Sequence, residues 1–197
     1  MRVKAQNETQ LTIVDLYKGM EETVEKFPEP ELTLDKNGVI GDRFYGPTRY
    51  SNSRKMVLPD ERMWSAVTIE DVMFTLAHWN KLLRDKQLPA RLSELDPAWF
   101  GPNICFSGMI AFSLVPPGTK FVFSGGPILI VTEENQPCME AAQFIADQYA
   151  AQDVKPELFV KAALLHRGLV GYVEEGGIVQ VGDSATAVYP SSSSKVY

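Results

Sequence analysis

Two cysteines and two histidines carry most of the reactive chemistry available to this sequence, and their surroundings set them apart. Cys105 lies in Asn103-Ile104-Cys105-Phe106, among apolar neighbours in a predicted strand, where a free cysteine behaves as a small buried hydrophobe. Cys138 follows Glu133-Glu134-Asn135-Gln136-Pro137, after an apolar strand and directly before a helical pattern. That position puts its sulfur at a helix N-terminus, where unpaired N–H groups and the dipole favour an anion. A thiol there is expected to have a lowered pKa, opposed by Glu133 and Glu134 if those carboxylates point at it. Thiolate is the form that attacks sulfur, ligates soft metals and carries a persulfide. The plainer reading of Cys138 is an inert, half-buried thiol at a strand–helix junction.

A cysteine protease competes with these readings and fits poorly. His166 is the better base of the two histidines, yet it falls in the last turn of a predicted helix, where the dipole alone favours a cation. His78 lies beside the apolar stripe of another helix. Cys138 has no protease signature around it, no G-x-S-x-G occurs, and neither a Walker A nor a Rossmann glycine pattern is present. Two cysteines exclude a disulfide scaffold and a four-cysteine zinc site. Two histidines leave little room for a His-rich catalytic metal.

The charge is uneven. The 197 residues hold 19 Lys and Arg against 25 Asp and Glu, a net −6 with a pI near 5.0. That balance argues against a general binder of nucleic acid or anionic membrane. Residues 43–59 run the other way, with Arg43, Arg49, Arg54 and Lys55 and no acid. The same stretch holds Gly46, Pro47, Ser51, Asn52 and Ser53, so it is predicted to be a loop and a candidate anion site. The alternative is a solvated loop whose charges face water.

These side chains must be positioned by short, β-branched segments punctuated by Gly and Pro. Leu11–Tyr17, Met63–Val67, Ile110–Val115, Lys120–Phe123, Ile128–Thr132, Leu169–Glu174 and Ile178–Val181 are predicted strands, with Glu175-Gly176-Gly177 as a hairpin turn between the last two. Thr68 opens a capping box before the stripe Ile69, Val72, Leu76, Trp79, Leu83. Met139–Ala150 and Pro156–Arg167 complete three helices, the last ending before Gly168. Strands so closely spaced predict an α+β, β-dominated fold, a barrel or curled sheet with a few packed helices. Residues 1–189 read as one domain and 190–197 as a disordered tail. No signal peptide or ~20-residue apolar run is visible, so a cytoplasmic location is expected.

Read in order, five segments resemble the MOSC domain family, named after the C-terminal part of molybdenum cofactor sulfurases. They are Gly38-Val39-Ile40-Gly41-Asp42-Arg43; Ser53-Arg54 through Arg62 to Val67 with Thr68-Ile69-Glu70; Trp99-Phe100-Gly101-Pro102-Asn103 with Ser107-Gly108; Glu133-Asn135-Pro137-Cys138; and Arg167-Gly168-Leu169 with Gly177 and Gly182-Asp183. The likeness runs from about Gly38 to Asp183. Three positions depart from the pattern: Phe44 for a histidine, Pro102 for a glutamate and Asn135 for an arginine. The resemblance implies a β-rich barrel that binds a pyranopterin molybdenum cofactor or carries sulfur as a Cys138 persulfide. Cys138 would then be the persulfide carrier or the molybdenum ligand, with Glu133 moving a proton beside it. Asp42, Arg43, Arg54, Arg62, Asn103 and Arg167 would bind the cofactor, the arginines through charge-assisted contacts to its phosphate. Plainer roles stand beside these: Arg167 capping a helix end, Asp42 closing a turn, and Arg62 pairing with Asp60 or Glu61.

As an enzyme such a protein would be a sulfurtransferase, or a reductase of N-hydroxylated compounds at bound molybdenum. Its partners would be a cysteine desulfurase, which brings its own pyridoxal phosphate, or a molybdenum enzyme. The alternatives are a non-catalytic module that binds an anionic ligand or partner through the basic loop 43–59, and redox sensing by a low-pKa thiol.

Overall fold

A computed structural model describes residues 8–20, 25–51, 56–59 and 62–191. Seven strands close into a barrel. These are β1 (Glu8–Gly19), β7 (Trp64–Thr68), β8 (Ile104–Ser107), β9 (Lys120–Phe123), β10 (Ile128–Glu134), β11 (Leu169–Glu175) and β13 (Ser184–Val188). They run in the order β13-β9-β10-β11-β7-β8-β1, and β1 pairs antiparallel with β13 to close the ring. The β7–β8 pair is parallel, bridged by helix α1 (Ile69–Asp85), and the other barrel pairings are antiparallel. Short β2 (Lys26–Glu29) extends the sheet beside β1, while β3 (Glu31–Asp35), β4 (Gly38–Val39) and β12 (Gly177–Gln180) make a separate three-stranded sheet. The β-dominated α+β architecture is therefore as the spacing of strands predicts.

Alternation along each strand splits the apolar residues between two cores. Leu11, Ile13, Trp64, Phe106, Phe112 and Phe121 fill the barrel. Tyr17, Val67 and Cys105, on the other face of the same strands, pack with Trp79, Leu83, Ile145 and Phe159 of the helices. Helix α1 starts where the capping box predicts, the Thr68 hydroxyl accepting from the Asp71 N–H. It is tied to the chain ahead of α3 (Pro156–Ala162) by the Trp79 indole N–H on the Val154 carbonyl. Helix α2 (Met139–Gln148) buries Ala141, Ala142 and Ile145 against this layer.

Four local expectations are corrected. Ile110–Val115 forms no strand: Ala111 adopts a left-handed φ of 58°, and Phe112–Leu114 makes a single 3-10 turn that sends Ser113 inward to the Asp71 carboxylate. The strand of this region is β8. Helix α3 stops at Ala162 rather than Arg167, because His166 bonds the buried Asp71 and the chain turns through Leu165 at φ 64°. Glu175-Gly176-Gly177 is a corner, since β11 pairs within the barrel and β12 pairs with β3. Finally, the predicted loop at 43–59 contains a two-stranded ribbon of β5 (Thr48–Ser51) and β6 (Met56–Pro59). Arg54 and Lys55 lie outside the described residues, as do residues 192–197 of the predicted tail.

Candidate functional site

The connector after β10 turns at Asn135-Gln136-Pro137 and delivers Cys138 as the N-cap of α2, with extended backbone angles of φ −127° and ψ 160°. The side-chain oxygen of an N-cap residue usually accepts from the first helical N–H groups, and here no side chain does so. The Cys138 side chain is exposed, whereas Cys105 is fully buried and burial pushes its thiol well above the ordinary range. Cys138 opens onto a cleft of about 390 Å³ whose walls include Arg43, Phe44, Arg62, Asn135, Glu140 and Arg167.

Arg167 is the residue that reaches the sulfur. Its Nη1 donates to the Gln136 carbonyl at 2.6 Å and lies 3.4 Å from Cys138 Sγ, and its Nη2 is 3.5 Å from the Phe100 carbonyl. Its Nε is buried and has no partner among the described residues. It does not cap α3, which has already ended, but its contact with the Phe100 carbonyl falls at the end of the 3-10 turn Pro97–Phe100. The backbone beside it is fixed by Gly168, at φ +95°, where a Cβ would meet the Ala66 carbonyl oxygen at 1.9 Å. Only glycine permits that approach, and the Gly168 carbonyl in turn accepts from the Asn135 N–H at 2.9 Å.

The second wall is Arg62, immediately before β7. Its Nη2 donates to Asn135 Oδ1 at 2.7 Å, and its Nε stands 3.8 Å from Glu133 Oε1. Glu133 is 59% exposed, so that ion pair is screened and weak. The third wall pairs Arg43 with Phe44, the guanidinium lying 4.4 Å from the ring centroid. Glu133 does not line the cleft, and the carboxylate that does is Glu140.

Asp42 and Asn103 sit behind the site rather than on its walls. Asp42 is buried, and its Oδ2 accepts from Lys26 Nζ (3.1 Å), the Gly19 N–H (2.8 Å) and Asn103 Nδ2 (2.9 Å). Its Oδ1 accepts from the Phe44 N–H, so it does close the turn that carries Arg43 and Phe44. Burial alone would raise its carboxyl, but the Lys26 ammonium and the two backbone donors outweigh that and hold it below the usual carboxylate value. Asn103 spends its amide oxygen on the N–H and hydroxyl of Ser65, a residue of the cleft wall. His166 also lies off the cleft walls: its Nδ1 bonds Asp71 at 2.9 Å and its ring stacks on Phe74. Among the described residues no group of three His, Cys, Asp or Glu could hold a metal, and no helix is long and apolar enough to cross a membrane.

Sequence reasoning did not assign roles to Ser65, Gln136, Glu140 and Lys26. Ser65, Gln136 and Glu140 are common residue types with no special spacing. Lys26 is made important only by a fold that buries it 16 positions from its carboxylate.

A closed barrel with an exposed cysteine at a Pro-Cys junction matches a known class of domain. A family model for the MOSC domain matches residues 58–186, and the chain belongs to that family. YuaD of Bacillus subtilis (strain 168), carried under the name "Putative metal-sulfur cluster biosynthesis proteins YuaD", is 30% identical over 159 residues, 78% of this chain and 77% of that protein. The crystal structure of the YuaD protein from Bacillus subtilis superposes with a TM-score of 0.84 at 25% identity, over 93% of this chain and 99% of that one. YiiM from Geobacillus stearothermophilus shares the fold at a TM-score of 0.58 and 16% identity, over 90% and 75% of the two chains.

Proposed function

We propose that this protein is a sulfur carrier that holds sulfane sulfur as a persulfide on Cys138. The observation that carries the reading is the exposed Sγ at an uncapped helix N-terminus with the Arg167 guanidinium 3.4 Å away. Both features stabilise negative charge on sulfur, in the attacking thiolate and in the persulfide anion that follows. The Cys138 thiolate attacks the outer sulfur of a donor persulfide, the donor's S–S bond breaks, and its electron pair leaves on the donor thiolate. The donor class is a cysteine desulfurase, whose pyridoxal phosphate stays with the partner. The name of YuaD supports a place in the assembly of metal–sulfur groups, a process that consumes delivered sulfur. Cys138 is exposed and lines the cleft, so the carried sulfur stays accessible to an acceptor.

A second reading is favoured by the arginine walls. The residues present fit the molybdenum cofactor of the family's namesake: Arg43, Arg62 and Arg167 would hold its phosphate and Cys138 would ligate the metal. When bound, that group would supply two-electron redox chemistry to a substrate. Arg54 belongs to the same expectation and lies outside the described residues. Loading with a desulfurase and cysteine, followed by peptide mass mapping, tests the carrier reading. It predicts about 32 Da, one sulfur, added at Cys138 and none in Cys138→Ser. Molybdenum and pterin retained through purification, without any added sulfur, would favour the cofactor reading. Loss of anion binding in Arg62→Ala with no effect of Cys138→Ser would favour a non-catalytic binding module.

A further inference from the structure

We infer that the cleft accepts sulfur from a small sulfane dianion of the thiosulfate class, an inference that rests on the carrier reading above. Three guanidiniums, Arg43, Arg62 and Arg167, line the cleft with one carboxylate, Glu140, and Glu133 stands 3.8 Å from Arg62 off the cleft wall. In a chain of net −6 these walls carry more cations than carboxylates, a balance that suits an anionic donor. Arg167 has both terminal nitrogens anchored on the Gln136 and Phe100 carbonyls, which fixes its Nη1 3.4 Å from the Cys138 sulfur. The first turn of the 10-residue helix α2 adds N–H groups that no side chain caps. A sulfonate end with three oxygens matches this set, since guanidinium forks and helix N–H groups both donate to tetrahedral oxyanions. The cleft of about 390 Å³ admits a molecule of five heavy atoms together with water.

The step balances without an added oxidant or reductant. The Cys138 thiolate attacks the outer sulfur of thiosulfate and forms a new S–S bond. The bond between that sulfur and the sulfonate sulfur breaks, and its electron pair leaves with sulfite. One negative charge then resides on the persulfide and two on sulfite, as one resided on the thiolate and two on thiosulfate. Arg62 and Arg167 hold the sulfonate, and the same cations stabilise the departing sulfite.

The test incubates the full chain with thiosulfate labelled in its outer sulfur, and measures sulfite released and label at Cys138. The result expected is one sulfite and one labelled sulfur per chain, with Cys138→Ser giving neither. Arg62→Gln should raise the thiosulfate concentration for half-maximal loading about tenfold, while its alkylation by neutral iodoacetamide stays within about twofold of wild type. A desulfurase with cysteine is run in parallel. Loading by the desulfurase but not by thiosulfate overturns the dianion donor and leaves the carrier reading standing. Loading by neither overturns both. Thiosulfate loading that is unchanged in Arg62→Gln and Arg167→Lys overturns the role given to the cationic walls.

Discussion

Cys138 and Cys105 share a residue type and almost nothing else. Their contrast was legible in the sequence because one follows Pro137 at a strand–helix junction and the other lies inside an apolar strand. The partner of Cys138 was not legible as such. Arg167 is 29 positions away and reads as the end of a helix until the Asp71–His166 bond is known to stop that helix early. Two outcomes belong to this scale. Iodoacetamide should modify Cys138 in the native protein and Cys105 only in denaturant, because burial both shields the second thiol and disfavours its thiolate. Arg167→Ala should slow alkylation of Cys138 by about tenfold, the effect of losing one charge-assisted contact of roughly 1.4 kcal/mol. Stopped-flow or timed-quench labelling measures both.

At the scale of elements, the site depends on backbone approaches and on a buried ion pair that no motif announces. Gly168 lets the segment bearing Arg167 run against β7, where Ala66 pairs with Leu169. Gly168→Ala is therefore expected to cost more than about 2 kcal/mol and to displace the guanidinium, visible as a lowered Tm together with slowed Cys138 labelling. Lys26 and Asp42, with side chains 0% and 2% exposed, hold the turn that presents Arg43 and Phe44. Lys26→Met would leave the Asp42 carboxylate unpaired and should cost about 3–5 kcal/mol by denaturant unfolding. Because the folded Asp42 carboxyl lies below its unfolded value, its contribution is complete above that unfolded value, near pH 4, and is lost as pH falls through the folded value. Below about pH 4 the Tm of the wild type should thus fall more steeply than that of Asp42→Asn. Of the elements themselves, long periodic segments such as α1 and β10 were readable. Ile110–Val115 was not, because its alternating apolar residues serve a turn that Ser113 and Ala111 impose from outside the pattern.

Across the whole molecule, the barrel strands are shared by two cores, and that sharing couples the site to global stability. Val67 and Cys105 face the helical layer, while Ala66, Ile104 and Phe106 on the same strands face the barrel. Trp64 reports the barrel core and Trp79 the helical layer, both fully buried. Single-tryptophan variants retaining one or the other should unfold with coincident midpoints in denaturant, as a cooperative domain requires. Separate midpoints would mean the helical layer opens by itself. The β-dominated barrel was foreseeable from strand spacing and turn residues. Closure through β1 and β13, which pairs Leu11 with Ala185 from 174 positions away, was beyond sequence reach because Ser184–Val188 is a short segment of mostly small residues.

The proposed carrier role places one sulfur atom on Cys138, and cold cyanolysis tests that directly. Protein loaded by a sulfane donor, desalted and treated with cyanide should release about one thiocyanate per chain as cyanide takes the outer sulfur and the Cys138 thiolate is regenerated. Cys138→Ser should release none, and Cys105→Ser should match the wild type. Thiocyanate that is absent from the wild type, or that persists in Cys138→Ser, would contradict the assignment of Cys138 as the carrier.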